Sequence, residues 1–192
     1  MMFIQILKQI NWVDILVVII LIRIGYVSRK TGFVKEFFKL LGTIFALYLG
    51  LHYYTKLSDF VGKKINIPAM PLEFFDFIFF VILVLIGYLI WVLLRESFTH
   101  FIKMEAVPTL SKWGGLILGL SRSILLSSLV IFMLAISSVN YFKESTINSY
   151  SGKKLFKVAT QTYSIIWNGL MSKFMTQEKF NPTIYEIEES FR

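Results

Sequence analysis

Between Asp76 and Arg95 the chain runs for 18 residues, Phe77 to Leu94, without a charge. That is close to the roughly 20 apolar residues a helix needs to cross a hydrocarbon core about 30 Å thick. A soluble domain would have to cover such a run on every side, whereas lipid covers it without further protein. A second run, Ser123 to Phe142, lies uncharged between Arg122 and Lys143. Trp91 near one end of the first run, and Tyr141 and Phe142 at the far edge of the second, suit a membrane interface. Hydrophobic residues make up 56% of the chain and charged residues 17%, where soluble domains hold about 45–50% and about 25%. The expected class is an all-α integral membrane protein.

Two further segments carry charge near one end. Trp12 to Tyr26 is bracketed by aromatics, but Asp14 and Arg23 leave only Ile15 to Ile22 uncharged between them. Arg23 can snorkel, while the short Asp14 must be paired, solvated or near its interface. The other segment starts near Phe33, carries Lys35, Glu36 and Lys39 on its first turns, and runs uncharged from Leu40 to Thr55. A cleavable leader is a competing reading of the first segment, since Lys8 precedes it, but no small-x-small site follows. Pro68, Pro71, Pro108 and Pro182 all fall between or beyond these runs. The sequence thus predicts a four-helix transmembrane domain over residues 1–145, with spans at about 12–26, 33–55, 74–95 and 115–142.

Residues 146–192 are expected to form an extramembrane tail. From about 153 to 174, Leu155, Ala159, Thr162, Ile166, Leu170 and Phe174 recur every three or four residues, while Lys153, Lys154, Lys157, Gln161, Ser164 and Asn168 lie largely elsewhere. This pattern fits an amphipathic interfacial helix on membrane lipids, or one docked on a partner. The stretch bearing Glu186, Glu188 and Glu189 is expected to be mobile. The 30 residues between Lys112 and Lys143 would span about 45 Å as a straight helix. Strong tilt, or a glycine-rich lead-in over Trp113 to Ser121, would absorb the excess.

The basic excess, 20 Lys and Arg against 12 Asp and Glu, lies between apolar runs, which argues for a membrane surface and against nucleic acid. With the N-terminus outside, the inner loops hold Arg23, Arg29, Lys30, Lys35, Lys39, Arg95, Lys103 and Lys112, and the outer side Lys8, Lys56, Lys63, Lys64 and Lys143. Eight against five places both termini outside.

Small residues mark two helix faces: Gly42, Ala46 and Gly50 on the second segment, and Gly115, Gly119, Ser123 and Ser127 on the fourth. Such ladders let backbones approach closely, either within one monomer or at a homo-oligomer seam. Arg122 has two readings, an interfacial snorkelling residue or an ion pair with Glu36, which this topology puts at the same inner face. Asp14 is either interfacial, two residues from Trp12, or a proton or cation relay.

Chemistry is hard to assemble from these residues. The chain has no cysteine and only His52 and His100 as imidazoles, which removes thiol nucleophiles, Cys-ligated zinc, iron–sulfur centres and a three-histidine metal site. His52 sits at a predicted membrane edge, and His100 follows Ser97 and Thr99 without a Gly-x-Ser-x-Gly turn. No phosphate loop or His-Glu-x-x-His occurs. No cofactor or metal is expected.

The order of these features resembles the colicin V production protein family of bacterial inner-membrane proteins. Asn11-Trp12-Val13-Asp14-Ile15, then Gly25, then Gly32-Phe33-Val34-Lys35-Glu36 is similar to that family's Asp, Gly, basic turn, second Gly and basic–Glu pair. Trp113-Gly114-Gly115 through Gly119 to Ser121-Arg122-Ser123 resembles its Gly-x-x-x-Gly-x-x-Arg-Gly stretch. Ser111 stands where the family usually has Asp, and Ser123 where it has Gly, so a role assigned to that acid does not carry over. The resemblance covers about residues 10 to 170. It implies support for peptide-toxin production or export and for envelope homeostasis, with no known catalytic step. Two mechanisms are open: a non-enzymatic factor acting through an envelope or secretion-system partner, or a small homo-oligomeric channel or transporter with Asp14, Arg23, Glu36 and Arg122 along its pathway.

Overall fold

The computed structural model describes residues 11–65, 71–101 and 108–191, without the side chains of 65, 99–101 and 108–110. Lys8, Pro68 and Lys103, and the side chains of Thr99, His100 and Pro108, therefore lie outside the described residues. Seven helices and no strand occur among them: α1 Trp12–Thr31, α2 Phe33–Ile65, α3 Leu72–Phe101, α4 Pro108–Ala135, α5 Asn140–Asn148, α6 Tyr150–Ile166 and α7 Thr183–Glu189. A π turn, Trp167–Met171, and a last helical turn, Ser172–Phe174, prolong α6.

The first four helices form two antiparallel pairs that share one core. In the α1–α4 pair, Gly115 packs so closely on α1 that an added Cβ would lie 2.9 Å from the Ser28 carbonyl oxygen and 3.0 Å from the Gly32 carbonyl carbon. A Cβ on Gly119 would overlap Ser28 Cβ and Oγ. Gly25, farther back along α1, faces Leu120 at an ordinary 3.5 Å. Gly32 ends α1 with φ +83° and ψ 165°, a conformation that only glycine adopts without strain. Because Phe33 already begins α2, this single residue makes the whole reversal.

The α2–α3 pair uses the other small-residue face. A Cβ on Gly42 would lie 2.9 Å from Trp91, and one on Gly50 2.7 Å from Val84 and 3.1 Å from Phe80. Ala46 meets Gly87, whose own added Cβ would lie 2.9 Å from Ala46 Cα. Phe132 of α4 then joins the pairs by ring contacts with Tyr54 at 5.9 Å and Phe80 at 5.1 Å. Both ladders are thus consumed inside the monomer.

What the bundle leaves outside is apolar. Ile15, Val18, Ile19 and Ile22 on α1, Ile82, Leu85, Ile86, Leu89 and Leu93 on α3, and Ile117, Leu120 and Ile124 on α4 are all exposed. So large an apolar surface is alien to a soluble monomer and natural to one facing lipid. Leu72–Phe98 and Ser111–Ala135 are each long and apolar enough to cross a bilayer. These are the features of a helical membrane protein.

The fourth helix differs from the expected 115–142. It is continuous from Pro108 and stops at Ala135, so the glycine-rich lead-in is regular helix and the break falls later. The Ser137 hydroxyl accepts the Val139 N–H at 3.2 Å, offering the backbone a local partner in place of the next helical carbonyl. Tyr141 and Phe142 belong to α5, where Tyr141 stacks on Trp12 at 6.3 Å.

The tail departs further from expectation. Its helix buries Gly152, Phe156, Ala159, Thr160, Tyr163 and Trp167 against the bundle, while Leu170 and Phe174 of the expected face are 54% and 77% exposed. Large aromatic rings at 156, 163 and 167 gain more from burial than the aliphatic stripe, and the π turn shifts register after Ile166. The acidic end is packed as well: Ile184 is 1% exposed, and Phe191 stacks on Phe156 at 4.2 Å. Two apolar anchors override the charge of Glu186, Glu188 and Glu189.

Gly119→Ala should lower stability in lipid discs by about 1–3 kcal/mol through overpacking, and Gly119→Ile should also reduce the amount in the membrane. Adding Ser28→Gly to Gly119→Ala should recover most of the loss in thermal unfolding. Unchanged stability of the single variant would contradict the seam.

Candidate functional site

Buried polar groups cluster at three places, each tying together segments distant in sequence. At the start of α2, Glu36 is fully buried and Arg122 of α4 is 7% exposed. Arg122 Nη2 lies 3.0 Å from Glu36 Oε2, and Lys39 Nζ donates to Oε1 at 2.8 Å. The ion-pair reading of Arg122 is therefore the one the structure supports. The flanking ladder residues Ser123 and Ser127 are fully buried; Ser123 Oγ donates to the Leu120 carbonyl at 2.7 Å, while Ser127 Oγ and Arg122 Nε have no hydrogen-bond partner among the described residues.

Asp14 sits where two helices begin. Its Oδ2 accepts the Asn11 N–H at 3.0 Å, and its Oδ1 accepts the N–H of Ser151, in the first turn of α6, at 2.7 Å. Asn11 Nδ2 donates to the Ser145 carbonyl at 2.7 Å. A carboxylate at two helix N-termini satisfies orphan N–H groups and faces the positive ends of both helix dipoles. The side chain is 7% exposed, so Asp14 is a buried clasp between the two helix starts.

The third cluster surrounds His52, which is fully buried. Its ring stacks on Tyr48 at 5.2 Å and Trp167 at 4.9 Å. Nδ1 lies 2.7 Å from Tyr163 Oη, and that same oxygen accepts the Asn181 N–H at 3.1 Å. With the ring proton on Nε2, which lies 3.5 Å from Glu178 Oε2, Nδ1 is free to accept the Tyr163 hydroxyl proton. Lys56 pairs with the same carboxylate oxygen, and Asn181 Nδ2 donates to the Leu51 carbonyl at 2.8 Å. Burial pushes the Tyr163 phenol up to about 12, so it remains a neutral hydroxyl. The network pins the C-terminal segment onto α2.

The sequence had marked Asp14, Gly25, Gly32, Glu36, Gly115, Gly119 and Arg122 as candidates. Gly32, Gly115, Gly119, Glu36 and Arg122 converge at one end of the bundle through the α1–α4 contact and the α2–α4 ion pair. Gly25 lies farther along the same seam, and Asp14 is at the opposite end of α1. Sequence reasoning missed Ser28, Gly87, Tyr163, Glu178 and Asn181. Of these only Tyr163 left a signal, its place in an aromatic 156–163–167 spacing. No group of three His, Asp or Glu able to hold a metal occurs among the described residues.

The family profile described as colicin V production protein matches residues 13–160. The chain belongs to the colicin V production protein family. No curated protein and no solved structure matches it. The matched region contains Asp14, the Glu36–Arg122 pair and both small-residue ladders, whereas Tyr163, Glu178 and Asn181 lie beyond it. In this member of the colicin V production family, the hydrogen-bonding and acidic partners of His52, Tyr163 and Glu178, thus lie beyond the matched residues.

Asp14→Ala should cost about 1–2 kcal/mol as a lost cap and speed hydrogen exchange at the Ser151 amide. Asp14→Asn, which keeps one acceptor oxygen, should retain function in a growth or toxin-export assay. Loss of function in Asp14→Asn at unchanged protein level would restore the relay.

Proposed function

We propose that this is a non-enzymatic, four-span protein of the bacterial inner membrane, which supports toxin or bacteriocin production or export and envelope homeostasis by associating with another envelope or secretion component. Membership of the colicin V production family over residues 13–160 carries the reading. In the proposed orientation both termini are outside, the Glu36–Arg122 end faces the cytoplasm, and α5 to α7 lie at the outer surface. The exposed apolar faces of α1, α3 and α4 favour lipid on several sides of the bundle. Exposed Leu170 and Phe174 beside Lys173 suit outer-leaflet headgroups.

Three of the four charges named for a conducting pathway, Glu36, Arg122 and Asp14, favour the accessory role over a channel. Glu36 and Arg122 neutralise each other, and Asp14 is engaged by backbone donors. Both small-residue ladders meet helices of their own chain, so neither is free to form a subunit seam. Native extraction into lipid discs, with the mass of the intact complex and peptide sequencing of its components, separates the two. The accessory role predicts one copy in fixed ratio to a second protein; a discrete homo-oligomer with no second component would favour the channel.

A further inference from the structure

At the end of the bundle opposite the Glu36–Arg122 pair, a half-open cavity of about 250 Å³ lies between α3, the turn after α4, and α7. Glu73, Asp76 and Glu186 line it, with Lys143 as its single amine. Three carboxylates against one ammonium give the cavity a formal charge of −2, in a chain whose own formal charge is +8. No ion pair joins Lys143 to any of the three among the described residues. A concave site lined by one sign of charge concentrates the opposite sign from solution.

An independent observation points to an occupant. Tyr54 lines the same cavity, is 1% exposed, and its hydroxyl has no hydrogen-bond partner among the described residues. Edge contacts with Phe80 and Phe132, each at 5.9 Å, fix the ring. A buried hydroxyl left unpaired is costly, and native proteins rarely tolerate one. The three carboxylates do not form a group of three able to hold a metal ion together, and their spread suits a larger cation. Ala135, Ile136 and Ile187 supply an apolar wall.

We propose that this cavity binds an alkylammonium group, with Asp76 and Glu186 as counter-charges, Tyr54 Oη accepting one N–H, and the apolar wall receiving the methylenes. The ammonium can belong to a free aliphatic amine or to a lysine side chain of a partner. The inference is independent of the accessory role, because it rests on the cavity alone.

The test is calorimetric titration of the full chain, in discs of zwitterionic lipid, with 1,4-diaminobutane, with N-acetyl-lysine methylamide, and with magnesium chloride. Saturable binding of either amine is expected, the diamine identifying a free amine and the lysine amide alone identifying a partner side chain. Asp76→Asn and Glu186→Gln should each weaken binding about tenfold or more. Tyr54→Phe should weaken it less, and Lys143→Met should tighten it, a gain that misfolding cannot mimic. Absence of saturable binding by both amines, equal affinity in Asp76→Asn and Glu186→Gln, or equally tight magnesium binding would overturn the proposal.

Discussion

A carboxylate and a guanidinium withdrawn together from solvent, Glu36 on α2 and Arg122 on α4, constrain this bundle more than any apolar contact. Each charge alone would be ruinously placed, so the helices carrying them have to stay in register. That requirement explains the crowding nearby. α4 comes close to α1 only because Gly115 and Gly119 have no side chains, and α1 turns into α2 at once only because Gly32 can adopt a positive φ. A membrane protein gains no hydrophobic drive between helices from lipid. Close packing and a matched charge pair supply in its place the specificity that holds the pairs together.

The opposite end is fixed differently. Asp14 joins the first turns of α1 and α6, and the His52–Tyr163–Asn181 chain attaches the C-terminal segment to α2. The family match ends at residue 160, so the four-helix bundle and Asp14 lie within the matched span, while Tyr163, Glu178 and Asn181 around His52 lie beyond it.

Some of this was legible before any coordinates. Phe77 to Leu94 is so long and uncharged that α3 admitted one reading, and both small-residue ladders announced close packing. The end of α4 was not, because apolar residues continue past Ala135 and hydropathy does not register that Ser137 offers the backbone a competing partner. The tail misled for a related reason. Two stripes coexist on α6, an aliphatic one and an aromatic one, and periodicity alone cannot say which meets the bundle. Long-range partners such as Glu178 and Asn181 carry no local pattern at all, since their roles are set by where the chain returns after Phe174. Arg122 fell between these cases: its proximity to Glu36 followed from topology, but burial decided between snorkelling and pairing.

A double-mutant cycle on Glu36→Gln and Arg122→Gln, read as unfolding free energy in lipid discs, tests the central claim most directly. Glu36→Gln should lose about 3–5 kcal/mol, because Arg122 is left buried and uncompensated, and Arg122→Gln should lose less, because Lys39 still pairs with Glu36. The double variant should lose clearly less than the sum, with a coupling of about 1–3 kcal/mol. Strictly additive losses would show that the two charges do not depend on each other and would contradict this account.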